Sequence, residues 1–223
     1  MDGEETRSEK PRRDAPRRDR RGLALVMAGA SGVGKGTIRE EAVPRMGDVA
    51  FSVSATTRPR RPGETDGLQY RFLSEAAFRE TIAAGGFLEW AEYVGDLYGT
   101  PRAPVDAALA AGRDVLLEID LAGARQVAAA LPEAVLVFVA PPSLAELERR
   151  LRGRGTDDAA KIAKRLARAR EEIRATGEFD YVIVNDRLDD AVEDFLAIVR
   201  AERLRASRLT EADVAAFLRE GDA

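Results

Sequence analysis

From Gly29 to Thr37 the chain reads G-A-S-G-V-G-K-G-T. Gly29, Gly34 and Lys35 stand at the spacing G-x-x-x-x-G-K. With Ala30, Ser31, Gly32 and Val33 they form a loop whose backbone N–H groups can turn inward toward an anion. The helix that follows offers its positive N-terminus to the same anion. A lysine at this place reaches the outer phosphates of a nucleotide. The pattern normally continues with a hydroxyl for magnesium. Here that position is Gly36, and the hydroxyl comes one residue later, at Thr37. A buried-strand pattern precedes the loop and a helical pattern follows it. That coincidence of strand, spacing, lysine and helix separates the segment from an ordinary glycine-rich turn.

Four other groups of residues carry possible chemistry. Arg58 and Arg61 lie three apart in a Gly/Pro-rich stretch, followed by Glu64 and Tyr70. Guanidinium groups match phosphate oxygens as bidentate forks, and a tyrosine hydroxyl can complete such a site. A solvated basic loop is the other reading of the same residues. Glu89, Tyr98 and Thr100 surround a tryptophan. Glu118 and Asp120 end the apolar run V-L-L-E-I-D. Arg150, Arg154 and Arg165 belong to a basic segment, R-R-L-R-G-R-G-T-D-D-A-A-K-I-A-K-R-L, that taken alone fits an exposed basic helix. The chain has no histidine and no cysteine. Disulfides and thiolate zinc sites are therefore excluded, and catalysis must rest on carboxylates, water and fixed charge.

The elements that would position these residues alternate. Short buried strands are expected at 23–28, 114–120 and 134–142, and a last one in F-D-Y-V-I-V-N-D, with helical patterns between them. Such alternation predicts a parallel sheet covered on both faces. In an open sheet of this kind ligands sit at the carboxyl ends of the strands, where Gly29–Thr37, Asp120 and Asn185 all fall. Residues 49–101 break the alternation. There we expect one strand over 49–57, a loop over 58–67, a strand in L-Q-Y-R-F-L, a helix capped by Ser74, and a hairpin turning at Gly95-Asp96. This block reads as an insertion with its own small sheet. The 223 residues carry 45% hydrophobic side chains and a net charge of −4. That balance argues mildly against nucleic-acid binding by the core. No apolar run is long enough for a membrane helix, and no signal-peptide core is seen, so a cytoplasmic setting is expected. Residues 1–22 hold eight Lys or Arg and almost no apolar side chains, which predicts a disordered basic tail. Oligomeric state is not legible.

The stretches G-A-S-G-V-G-K-G-T, S-V-S-A-T-T-R, F-L-E-W-A-E-Y-V-G-D-L-Y-G-T-P-R and L-L-E-I-D, in that order, closely resemble guanylate kinase over about Leu23 to Arg200. The G-K-G-T form is common among nucleoside monophosphate kinases, so Gly36 looks like a subtype of phosphate loop. The resemblance implies in-line transfer of the ATP γ-phosphoryl group to GMP, and to dGMP, with Mg2+ held mainly by phosphates and water near Thr37 and Asp120. It implies ATP contacts throughout Gly29–Thr37. Asn185 is implied near the adenine or the lid hinge, with a plain turn residue as the other reading. Ser54, Arg58, Arg61 and Tyr70 match the GMP-binding segment, and the two arginines with Tyr70 and Tyr98 would hold the GMP phosphate. Glu89 and Thr100 would face the guanine, with Ser54 close by. Glu118 and Asp120 would lie near the acceptor nucleotide and the metal. Arg150, Arg154 and Arg165 match lid arginines, which with Lys35 would stabilise charge spread over the transferred group. Arg149, Arg152, Lys164 and Arg168 read as a solvated face. Val94 stands where many guanylate kinases have a polar residue.

The implied organisation is a P-loop core at 23–48 and 102–203, with an arginine-rich lid at about 150–165. A GMP-binding, β-rich insertion occupies 49–101, and a helical tail 204–223. Non-catalytic guanylate-kinase-like domains typically lose the phosphate loop and lid arginines, which are present here. Ribose 1,5-bisphosphate kinase is a third reading, against which Ser54, Glu89 and Thr100 argue.

Overall fold

The computed structural model describes residues 20–153 and 158–218. Residues 1–19 of the basic N-terminal segment, and Arg154 of the expected lid, lie outside the described residues. In chain order the core opens with β1 (Ala24–Ala28), α1 (Lys35–Met46) and β2 (Val49–Phe51). The inserted block follows as β3 (Ala55–Thr56), β4 (Arg71–Phe72), α2 (Glu75–Ala83), β5 (Phe87–Tyr93) and β6 (Asp96–Pro101). The core resumes with α3 (Arg102–Ala110), β7 (Asp114–Glu118), α4 (Leu121–Ala130) and β8 (Val135–Ala140). It continues through α5 (Leu144–Gly153), α6 (Ala159–Arg174), β9 (Tyr181–Val184) and α7 (Leu188–Arg203), with α8 (Glu211–Phe217) at the end.

The run L-A-L-V-M-A has no polar face, so β1 can only sit where both of its sides are covered. It lies in the middle of a parallel sheet ordered β2-β7-β1-β8-β9, with Leu25 opposite Leu116 on one side and Val135 on the other. Alternate side chains divide between two cores. Leu25 and Met27 pack with Ile38 of α1 and Phe195 of α7, and Ala24 and Val26 with Val105, Leu109 and Val127 of α3 and α4. At roughly 1.5–3 kcal/mol for each large side chain fully buried, these two layers hold the frame.

The inserted block forms a separate sheet, β4-β3-β6-β5, around Ala55, Phe78, Phe87 and Leu97. One difference from expectation is the strand read over 49–57. Val49–Phe51 pairs with β7 in the main sheet, whereas Ala55–Thr56 pairs with β6 in the small one. A β pattern records alternation and not partners, so the break at residues 52–54 is invisible in sequence. The hairpin between β5 and β6 turns at Val94-Gly95, and both residues have positive φ, 53° and 84°. This turn geometry matches the strand twist but suits Asn-Gly, not a β-branched residue.

Helices α5 and α6 form a third unit. Leu147, Leu151, Ile162, Leu166 and Ala169 bury one another against Ala30 of the loop after β1. The two ends of the described residues meet on another face. Gly22 donates its N–H to Leu109 O at 2.8 Å, Arg20 pairs with the buried Asp213 of α8 at 3.1 Å, and Arg208 donates to Arg21 O at 2.6 Å. Thr210 and Asp213 form a reciprocal capping box that starts α8. Residues 20–22, read as the end of a disordered tail, are therefore docked, because α8 supplies the buried carboxylate that ties them down.

Candidate active site

The loop between β1 and α1 is shaped by its glycines. Gly29 has φ 144°, and a Cβ there would fall 2.2 Å from Val139 O of β8. Gly34, with φ 99°, closes the loop against the Asn185 side chain at 2.4 Å from the same kind of ideal Cβ. Only a residue without a side chain fits either place. Lys35 Nζ folds back to donate to Gly29 O at 2.5 Å and Ala30 O at 3.3 Å. Burial pushes the Lys35 amine below the usual lysine range, partly offset by the charges of Glu118, Glu172 and Asp120. At Gly36 a side chain would not be excluded by sterics. A Cβ there would meet the Glu118 carboxylate at the ordinary contact distance of 3.8 Å.

The loop forms one wall of a cleft of about 1010 Å3. Gly29–Gly32 and Gly34–Thr37 line it, facing Tyr98, Glu118 and Asp120 across the opening. Helix α6 closes the third side with Lys161, Lys164, Arg165 and Arg168. Arg165 donates to Ser31 Oγ at 3.2 Å. Arg150 pairs with Glu146 at 2.8 Å and approaches Val33 O and Asp186 O at 3.5 Å. Glu118 pairs with Arg39 at 3.1 Å. Asp120 accepts Gly123 N–H through one oxygen, capping α4, and Arg168 through the other at 2.6 Å.

The inserted sheet carries two further groups. Arg58 pairs with Glu64 at 2.7 Å and lies over the rings of Tyr70 and Phe72 at 5.5 and 5.7 Å. Tyr70 in turn meets Tyr98 edge-on. The Arg58 guanidinium, with help from the Arg61 N–H, holds the Glu64 carboxyl below the usual range. Thr100 donates its hydroxyl to Glu89 Oε1 at 2.5 Å. Burial pushes the Glu89 carboxyl up, and the charge of Asp120 pushes in the same direction. Ser54 is half-buried beside β3, and its carbonyl accepts from Arg71 N at 2.8 Å.

The sequence-derived residues thus fall into two sets. Gly29–Gly32, Gly34–Thr37, Tyr98, Glu118, Asp120 and Arg165 share the cleft. Arg58, Tyr70, Glu89 and Thr100 belong to the inserted block and are not among the residues that line the cleft, and Ser54 lies just before β3. Arg61 is exposed. Asn185 is placed under the loop: it is 6% exposed and donates Nδ2 to Val33 O at 2.7 Å. It does not line the cleft. Lys164 and Arg168, read as a solvated face, are exposed and also line the cleft. The signal was available in the spacing 161, 164, 165, 168 and 172, which is one face of a helix, but nothing in the sequence says which face is docked. Glu40, Ala91, Tyr93 and Glu172 also line the cleft and were not singled out.

A family model described as "Guanylate kinase" matches residues 21–202. A guanylate kinase of Thermus thermophilus is 58% identical over 192 residues, covering 86% of this chain and 87% of the relative. One from Synechococcus sp. (strain CC9902) is 56% identical over 172 residues, covering 77% and 92%. Among solved structures, guanylate kinase from Anaplasma phagocytophilum superposes with a TM-score of 0.69 at 30% identity, covering 90% of this chain and 96% of that one.

Proposed function

The chain belongs to the guanylate kinase family and phosphorylates GMP to GDP at the expense of ATP, and from that premise we propose how its cleft divides the work. The phosphate loop, with Lys35, takes the ATP phosphates. The inserted sheet takes GMP, its phosphate between Arg58, Arg61, Tyr70 and Tyr98 and its base against Glu89 and Thr100, and dGMP enters the same way. Glu118 and Asp120 lie where the two nucleotides meet.

The observation that supports this division is the joint lining of one cleft by the loop, by Tyr98 of the inserted sheet and by the cations of α6. In-line transfer needs donor and acceptor oxygens held on opposite sides of one phosphoryl group, with positive charge around its three oxygens. Lys35 and Arg165 stand on the donor side, and Arg150 reaches the same loop from α5. Lys35, now on its own loop carbonyls, turns to the phosphates when they arrive. Arg154 is proposed as a further lid cation from its match to the family alone.

The donor set suits a magnesium ion that comes with ATP. Among the described residues no three acidic side chains cluster to hold a metal, while Thr37 and Asp120 present oxygens on the cleft. Those two would hold Mg2+ together with the phosphates and water, and when bound it offsets phosphate charge. No helix among the described residues is long and apolar enough to cross a membrane. A coupled ADP-release assay with GMP, dGMP, AMP and ribose 1,5-bisphosphate tests the reading. Turnover of GMP and dGMP at least a hundredfold more efficient than of the others is expected, and comparable turnover of AMP would refute the assignment of the base site.

A further inference from the structure

We propose that Arg168 is a positioning residue: its ion pair with Asp120 ties the lid-bearing α5–α6 unit to the acceptor side of the cleft and sets how far the unloaded enzyme stands open. The proposal rests on the reading of Asp120 as acceptor-side.

Helices α5 and α6 pack on their own small cluster, which touches the rest of the protein at Ala30. Among the described residues their polar ties to the frame are few. Arg165 reaches Ser31 and Arg150 reaches Val33 O and Asp186 O. All of these contacts lie on the donor side, at the phosphate loop and the turn after β9. Arg168 is different, because its partner lies at the end of β7, across the cleft, at 2.6 Å. The same guanidinium is fixed from behind by Glu172, one turn along α6, at 2.8 Å. Glu172 is itself 5% exposed and belongs to the buried side of α6. Asp120 is equally constrained, since its other oxygen caps α4. Both ends of the tie are therefore anchored in rigid elements, and a tie between rigid elements transmits position.

The pair is open to solvent, with side chains 56% and 44% exposed. Exposed pairs of this kind shift equilibria by no more than about fivefold. That strength suits a tie that presets a resting position and yields to nucleotide. Its release also frees the Asp120 oxygen that Arg168 occupies.

The chain has no cysteine, so spin labels can be placed on Ala129→Cys of α4 and Ala167→Cys of α6, both exposed, in the full-length protein. Pulsed dipolar spectroscopy then reads the distance across the tie. In Arg168→Gln the ligand-free distribution should move to longer distances than in the parent. With GMP and a non-hydrolysable ATP analogue the two proteins should coincide. In the unlabelled proteins KM for GMP should fall about two- to fivefold, because the variant has no tie to give up on binding, with kcat within about threefold. Arg168→Lys, which keeps the charge but not the fork, should fall between the two. An unchanged ligand-free distance, a KM that does not fall, or a kcat loss of tenfold or more overturns the proposal, the last by showing that Arg168 touches the reacting group. Absence of GMP turnover in the parent would instead sink the reading of the acceptor side, while the ligand-free distances would still test the tie.

Discussion

Replacing Glu89 by Gln tests the base site most directly. Glu89 accepts the Thr100 hydroxyl on one oxygen, which leaves the other for a ligand. Guanine presents N1–H and the 2-amino group along one edge, and an ionised carboxylate can only accept. Hydrogen bonds to a charged group contribute about 1.5–3 kcal/mol each. Glutamine weakens one such bond to the neutral scale of about 1 kcal/mol and turns its amide donor toward the other guanine donor. If the amide faces Thr100 instead, the hydroxyl can rotate to accept from it, and only the loss of charge remains. The two cases bracket a loss of about 1 to 4 kcal/mol, or roughly fivefold to a thousandfold in kcat/KM for GMP. ATP binding should be nearly unchanged. AMP lacks both donors, so its already poor turnover should change far less, and the GMP-to-AMP preference should collapse. The pH dependence supplies a second reading of the same site. Burial raises the Glu89 carboxyl above its usual range, so the neutral form persists to higher pH. The acid limb of kcat/KM for GMP, which reports free enzyme, should therefore lie above the ordinary glutamate range and be absent from Glu89→Gln. In ligand-free protein the stability that goes with a neutral Glu89 is present below the usual glutamate pKa and is lost as pH rises through the raised value. Steady-state kinetics with both nucleotides across pH decides the matter. A variant that keeps the GMP-to-AMP preference within about threefold of the parent would show that Glu89 does not read the base.

Lys35→Met should lower kcat by ~10² or more, the scale of losing one preorganised charge donor, and a variant above half the parent kcat would remove the loop from catalysis. Asn185→Ala removes the buried hydrogen bond to Val33 O and should cost about 1–3 kcal/mol in chemical denaturation, together with a higher KM for ATP. A higher KM without loss of stability would instead place Asn185 against the nucleotide. Val94→Asn should stabilise the protein by ~1 kcal/mol, because Val94 is 85% exposed and sits at φ 53°, a conformation asparagine tolerates and a β-branched residue does not. Equal or lower stability in the same denaturation assay would show that the turn carries no strain.

What the sequence determined by itself is local. A phosphate loop is a strand, a turn and a helix start held within fourteen consecutive residues from Met27 to Glu40, so its function follows from order and spacing. The buried strands of the main sheet were legible for the same reason, since a run such as L-A-L-V-M-A tolerates only a doubly covered place. The tertiary structure decided everything that depends on which surface meets which. Val49–Phe51 and Ala55–Thr56 share one β pattern yet belong to different sheets. Asn185 follows the last strand of the sheet, where a ligand contact and a buttress look alike, and only the fold shows its amide donating to Val33 O of the loop. Arg168 shares its helical context with basic residues that do not line the cleft. It enters the cleft because Ile162, Leu166 and Ala169 bury the neighbouring stripe of α6, and that choice of face fixes the direction of every cation on the helix. Partnership between residues far apart in the chain, as between Arg20 and Asp213 or Arg168 and Asp120, comes from folding the frame, because a side chain carries its charge in the sequence but finds its counter-charge only in three dimensions.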